Sequence, residues 1–81
     1  MHELAFTEGI IKIVTSEAEK RNFSKCLEIT LRLGEYSGIV PECVKEFFPL
    51  ASEGTVAQGA TITVLPNDDK FGCYVENLIV E

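Results

Sequence analysis

The stretch Cys26-Leu27-Glu28-Ile29-Thr30-Leu31-Arg32-Leu33 restricts the possible fold more than any other part of the chain. Leu27, Ile29, Leu31 and Leu33 alternate with Glu28, Thr30 and Arg32. Successive side chains of an extended strand point to opposite faces, so this run predicts a strand with one covered and one wet face. Cys26 falls on the side opposite the apolar row, and Gly34 ends the run. Such a strand is stable only under a cover of further apolar elements. The flanking segments supply two helical patterns.

Residues 4 to about 21 predict an amphipathic helix, with Leu4, Ile11, Val14 and Ala18 on one stripe and Ile10 beside it. Glu17, Glu19 and Lys20 fall on the polar side. Lys20 and Arg21 complement the negative end of the helix, and Asn22 is a suitable terminator. Gly9 costs about 1 kcal/mol relative to alanine, which makes the helix start its softer boundary. A second helix opens at Pro41, where a missing N–H does no harm. Ser37 and Gly38 form the turn before it, and Val44, Phe47, Phe48 and Ala51 form its apolar stripe. Pro49 predicts a kink or an early last turn, and Gly54 closes the segment.

Residues 60–65 predict a second strand with Ala60, Ile62 and Val64 inward. Pro66-Asn67-Asp68-Asp69 is turn chemistry, and residues 71–80 predict a third strand returning antiparallel as the hairpin partner of the second. In that strand Val75 and Ile79 oppose Tyr74, Leu78 and Val80, a pattern that asks for a bulge or for cover on both faces. The order α-β-α-β-β predicts one small α/β (α+β) domain over residues 1–81. It has a three-stranded mixed sheet packed with two helices, and its β-α-β part is a right-handed parallel crossover.

Composition narrows the function. The formal net charge of −6 and the absence of a Lys/Arg cluster argue against nucleic acid and against an anionic membrane surface. No apolar run approaches the roughly 20 residues of a membrane span, and the start of the chain does not read as a secretory signal. The odd number of cysteines (Cys26, Cys43 and Cys73), none close to another, implies neither a disulfide framework nor a zinc knuckle. Reduced thiols that pack inertly, in a cytoplasmic protein, are the expectation. The only histidine is His2, and nothing in the sequence orients it against a thiol, so an enzyme of the Cys-His type is not expected.

Three blocks carry a resemblance. Met1-His2-Glu3-Leu4, Gly34-Glu35-Tyr36-Ser37-Gly38-Ile39-Val40-Pro41-Glu42 and Gly54-Thr55-Val56-Ala57-Gln58-Gly59-Ala60 together resemble the HypA/HybF family of hydrogenase nickel-insertion proteins. The final Val75-Glu76-Asn77-Leu78-Ile79-Val80-Glu81 is similar to that family's last strand. The family carries a zinc module with two Cys-x-x-Cys pairs between its last two sheet strands. Here Leu65-Pro66 passes through Asn67-Asp68-Asp69-Lys70 into the last strand. The resemblance therefore implies the nickel domain with the module missing between about 65 and 71, and no zinc in this form.

The resemblance also implies Ni(II) held by the Met1 amine, the amide and imidazole of His2 and the amide of Glu3; the residues leave open whether the Glu3 carboxylate takes part or serves only as a charge at the helix start. The His2 amide and its own Nδ1 close a six-membered chelate ring, the amine and that amide a five-membered one. Nitrogen-rich planar sites of this kind suit Ni(II) or Cu(II). Amides must shed protons to bind and the imidazole must be neutral, so binding weakens as pH falls into the range where a free imidazole protonates. The implied function is a metallochaperone delivering nickel during [NiFe] hydrogenase maturation. Its implied partners are a nickel-pathway GTPase (HypB-like), the hydrogenase large subunit and urease maturation proteins. The alternative is a metal-free docking module for the same GTPase. An uncovered edge strand also admits a homodimer.

Overall fold

The computed structural model describes residues 2–81. The elements are α1 (Glu3–Arg21), β1 (Cys26–Leu33), α2 (Pro41–Ala51), β2 (Thr61–Pro66) and β3 (Cys73–Val80). Two helices and a three-stranded mixed sheet are as the patterns predict. The apolar core joins Ile10, Ile11 and Val14 of α1, Ile29 and Leu31 of β1, and Val44 and Phe48 of α2.

The buried stripe of α1 is Glu3, Thr7, Ile10, Ile11, Val14 and Ala18. Leu4, expected inside, is 48% exposed. The stripe at the first turn is set one position earlier because polar groups are buried there: Glu3 reaches the loop before α2, and the Thr7 hydroxyl donates to the Glu3 carbonyl at 2.6 Å. The helix ends as expected at Asn22 in the left-handed conformation (φ 57°, ψ 43°). Near that end Arg21 Nε lies 2.8 Å from Glu17. Pro49 lies within the last turn of α2, which stops at Ala51, and Ser52 N–H caps it by donating to the Phe48 carbonyl at 2.9 Å.

The strand order is β2-β1-β3, with β1 parallel to β2 and antiparallel to β3. The hairpin pairing of the last two strands is therefore wrong. Segment 67–72 instead crosses the end of β1, so β1 is central and β2 and β3 are the edges. Gly72 and Asn67 bracket the crossing: Gly34 N–H donates to the Gly72 carbonyl at 2.8 Å, and Asn67 N–H to the Leu33 carbonyl at 3.2 Å. The crossing passes so near Gly34 that a Cβ there would collide with the main chain of Lys70. A central β1, paired on both sides, also explains why Thr30, expected on a wet face, is 9% exposed between Thr63 and Asn77.

Two bulges set which residues face the helices. Between Cys26 and Glu28, β1 has one residue more than β3. Past that extra residue the alternation reverses, so Cys26 is fully buried and Leu27 is 39% exposed, opposite to the simple parity. Between Val75 and Asn77 the extra residue is Glu76 on β3. That bulge brings Val75 and Leu78 to the same core and leaves Ile79 46% exposed.

Candidate functional site

The first turn of α1, the loop 34–40 and the start of α2 meet at one junction. His2 is the exposed N-cap of α1 (φ −119°, ψ −2°). Its carbonyl accepts the Phe6 N–H at 2.9 Å, while its side chain makes no capping bond. His2 is thus an exposed residue at a helix start. There the first N–H groups have no acceptor among the carbonyls of the helix itself.

Glu3, the next residue, is only 5% exposed. Its Oε2 accepts the Val40 N–H at 3.1 Å. Val40 precedes proline, which forces it into extended backbone (φ −94°, ψ 114°) and turns its N–H away from α2. In a capping box a carboxylate from the same helix takes the N-cap N–H. Here the carboxylate comes from the start of another helix, 37 positions away. It lies between two helix starts, both positive ends of backbone dipoles. The Glu3 pKa is lowered by its own N–H and by that of Val40, with burial opposing.

The loop is fixed by directed bonds. Gly38 takes φ +81°, which favours glycine, and Ser37 Oγ accepts the Ile39 N–H at 3.3 Å. Tyr36 N–H donates to the Lys70 carbonyl at 2.6 Å. Above that bond the rings of Tyr36 and Phe71 lie 5.7 Å apart, with 61% and 76% of each residue exposed.

Among the described residues no three His, Cys, Asp or Glu side chains gather where they could hold a metal. Burial raises the Cys26 pKa, which disfavours the thiolate a metal needs; Cys43 is half-buried and Cys73 exposed. Arg32 bonds Glu76 at 2.7 Å and the Pro66 carbonyl at 2.9 Å, a staple across the sheet that raises its own pKa. Of the expected ligands, His2 and Glu3 lie at this junction, and Met1 lies outside the described residues.

Comparison with known proteins decides the family. The family profile described as "Hydrogenase/urease nickel incorporation, metallochaperone, hypA" matches residues 1–77. The chain belongs to the HypA family. It is 40% identical over 73 residues to the hydrogenase maturation factor HypA of Caldanaerobacter subterraneus subsp. tengcongensis, covering 90% of this chain and 64% of that relative. HypA 2 of Bradyrhizobium diazoefficiens is 37% identical over 81 residues, covering all of this chain and 72% of the relative. HypA of Dehalococcoides mccartyi strain CBDB1 is 37% identical over 73 residues, covering 90% and 61%. The chain thus spans roughly two thirds of the length of these HypA proteins. Among the described residues no helix is long and apolar enough to cross a membrane.

Two contributors escaped the sequence reading. The Val40 N–H has a signal, since a residue before a helix-opening proline presents a donor its own helix does not use. Gly34 has none beyond its identity, because its role depends on a crossing that local pattern did not reveal.

Proposed function

We propose that this chain binds Ni(II) at its amino terminus and hands it on during maturation of [NiFe] hydrogenase. One observation carries the reading: an exposed His2 that makes no capping bond, next to a buried, anchored Glu3, in a chain that belongs to a nickel-incorporation family. The donors are the Met1 amine, the His2 amide and imidazole, and the Glu3 amide. A dication at the positive end of α1 is disfavoured by about 0.3–1 kcal/mol, and deprotonated amides with the Glu3 carboxylate offset it. Copper outranks nickel at such a site, so selectivity falls to supply and partner.

The finer reading treats residues 1–81 as the nickel domain, with the crossing 67–72 standing where relatives carry a zinc module. The longer relatives and the lack of a Cys-x-x-Cys pair support it. A HypB-like GTPase, a hydrogenase large subunit and urease maturation proteins are the proposed partners, in the cytoplasm. A homodimer through the open edge of β3 belongs to the same proposal; a single monomeric species in sedimentation at high concentration would count against it. The exposed Tyr36–Phe71 pair favours a second reading, a docking module that carries no metal. A nickel titration of the tag-free chain beside His2→Ala separates the two. The metal reading expects a one-to-one complex with a planar, yellow spectrum, lost in the variant. No uptake by the unmodified chain would leave the docking reading.

A further inference from the structure

We infer that the exposed ring pair Tyr36–Phe71 is a docking point for an arginine carried on a basic segment of a protein partner, with the Glu35 carboxylate as its counter-charge. The inference rests on the docking role named above for this pair and gives its partner a chemistry; it holds whether or not the chain carries nickel. Phe71 is 76% exposed and Tyr36 61%, and their ring centroids lie 5.7 Å apart with planes tilted by 40°. Two large rings thus leave most of their apolar surface in water, which folding alone does not favour. Their base is stiff. Gly34 N–H donates to the Gly72 carbonyl at 2.8 Å and Tyr36 N–H to the Lys70 carbonyl at 2.6 Å, which continues the register that pairs Leu33 with Cys73. Asp69 fixes the turn before Phe71: its Oδ1 accepts the Phe71 N–H at 3.0 Å and its carbonyl the Gly72 N–H at 3.2 Å. Rings presented on a fixed backbone lose little freedom on binding, which suits them to anchor an interface.

Charge names the occupant. The segments that carry the rings expose Glu35, Asp68, Asp69 and Lys70, three acids to one base, and the continued register sets Glu35 level with Phe71. The Asp69 carboxylate is engaged by the Phe71 N–H, and Asp68 borders the recess that holds Arg32. Glu35 has no ion-pair partner among the described residues. With a net charge of −6, the surface repels the phosphates of nucleic acid and of anionic lipid. A guanidinium is planar, so it can lie on a ring face and present paired N–H groups to a carboxylate at the same time. A leucine would meet only the rings, and a lysine is a compact, strongly hydrated charge that stacks less well. A second copy of the chain does not supply the guanidinium. Its two arginines are already paired, Arg21 with Glu17 at 2.8 Å and Arg32 with Glu76 at 2.7 Å.

The test titrates the tag-free, metal-free, ¹⁵N-labelled chain with a capped pentapeptide of glycine that carries arginine at its second and fourth positions. The same peptide with lysine or leucine at those positions is the comparison. Amide shifts locate the binding and give its affinity. The arginine peptide should move the Glu35, Tyr36, Phe71 and Gly72 amides saturably and bind about threefold or more tighter than the other two. Phe71→Ala should abolish saturation. Glu35→Gln should weaken the arginine peptide and leave the leucine peptide unchanged, and this exposed, isosteric change decides the matter if Phe71→Ala fails to fold. Urea denaturation separates docking from a structural role, since both variants should unfold at the wild-type midpoint. A lowered midpoint in Phe71→Ala with binding retained would make the pair a brace of the crossing and overturn the inference. Shifts spread over the acidic surface with no maximum at 34–36 and 70–72 would overturn it as well. Lysine or leucine peptides binding as tightly at the same amides would overturn the choice of guanidinium and leave the docking role standing. No saturable shift with any of the peptides would overturn both.

Discussion

The junction at the start of α1 and the outer edge at β3 are held by different means. The junction depends on direction: one carboxylate, the main-chain N–H of Val40, a proline and a glycine at φ +81°. The β3 edge depends on area. Val75 and Leu78 lean on the core, Tyr74, Ile79 and Val80 stay 40–49% exposed, and an apolar groove of about 680 Å³ runs between β3 and α1. Apolar contact is non-directional and tolerates shifts, whereas a hydrogen bond weakens steeply as its geometry is lost. The proposed site of main-chain nitrogens would need directional support, and the directed bonds lie at the end where His2 stands.

Four changes break or sharpen this contrast. Ile29→Ala, in the core that both regions share, should cost about 2–5 kcal/mol in urea denaturation and loosen both alike. Gly34→Ala should cost about 1–3 kcal/mol, because the crossing must move. That loss should be accompanied by shifts of the Tyr36 and Val40 amides with little change along the outer side of β3; equal shifts in both regions would erase the contrast. The third change is of pH. The Glu3 carboxylate is lowered, first by its own N–H and then by that of Val40. Its contribution is complete above the ordinary glutamate range and is lost as pH falls through the lower, folded value. Metal-free wild type should therefore lose stability on acidification relative to Glu3→Gln, and parallel denaturation midpoints from pH 6 to 3 would remove Glu3 from the account. The smallest effect is at Gly9, in α1 on the groove side, where a Cβ meets nothing within 4 Å. Gly9→Ala should stabilise by about 1 kcal/mol and leave the junction amides unmoved.

Most of the architecture was legible because it follows from apolar period. The alternation of 26–33 and the stripes of the two helices name the elements, their order and most of the core. Three things were not legible, for physical reasons. A bulge reverses alternation without changing composition, so Cys26 and Leu27 traded sides. A short turn sequence between two strands reads as a hairpin, and nothing local reports that it bridges a third strand. A buried glutamate interrupts the apolar stripe that reveals a helix face, so the pattern points to Leu4 as the inward residue where Glu3 is. In the candidate site, His2 and Glu3 were singled out through a resemblance, while the bond that anchors Glu3 joins positions too distant for any periodicity to register.

The most direct test of the central claim blocks the amino terminus alone. The tag-free chain and the same chain acetylated at its amino group would be titrated with nickel while the visible spectrum is followed. Acetylation removes one nitrogen donor and leaves the fold and His2 in place. The account predicts a planar one-to-one complex in the free chain and its loss in the acetylated one. An unchanged spectrum and stoichiometry after acetylation would place the metal elsewhere and contradict it.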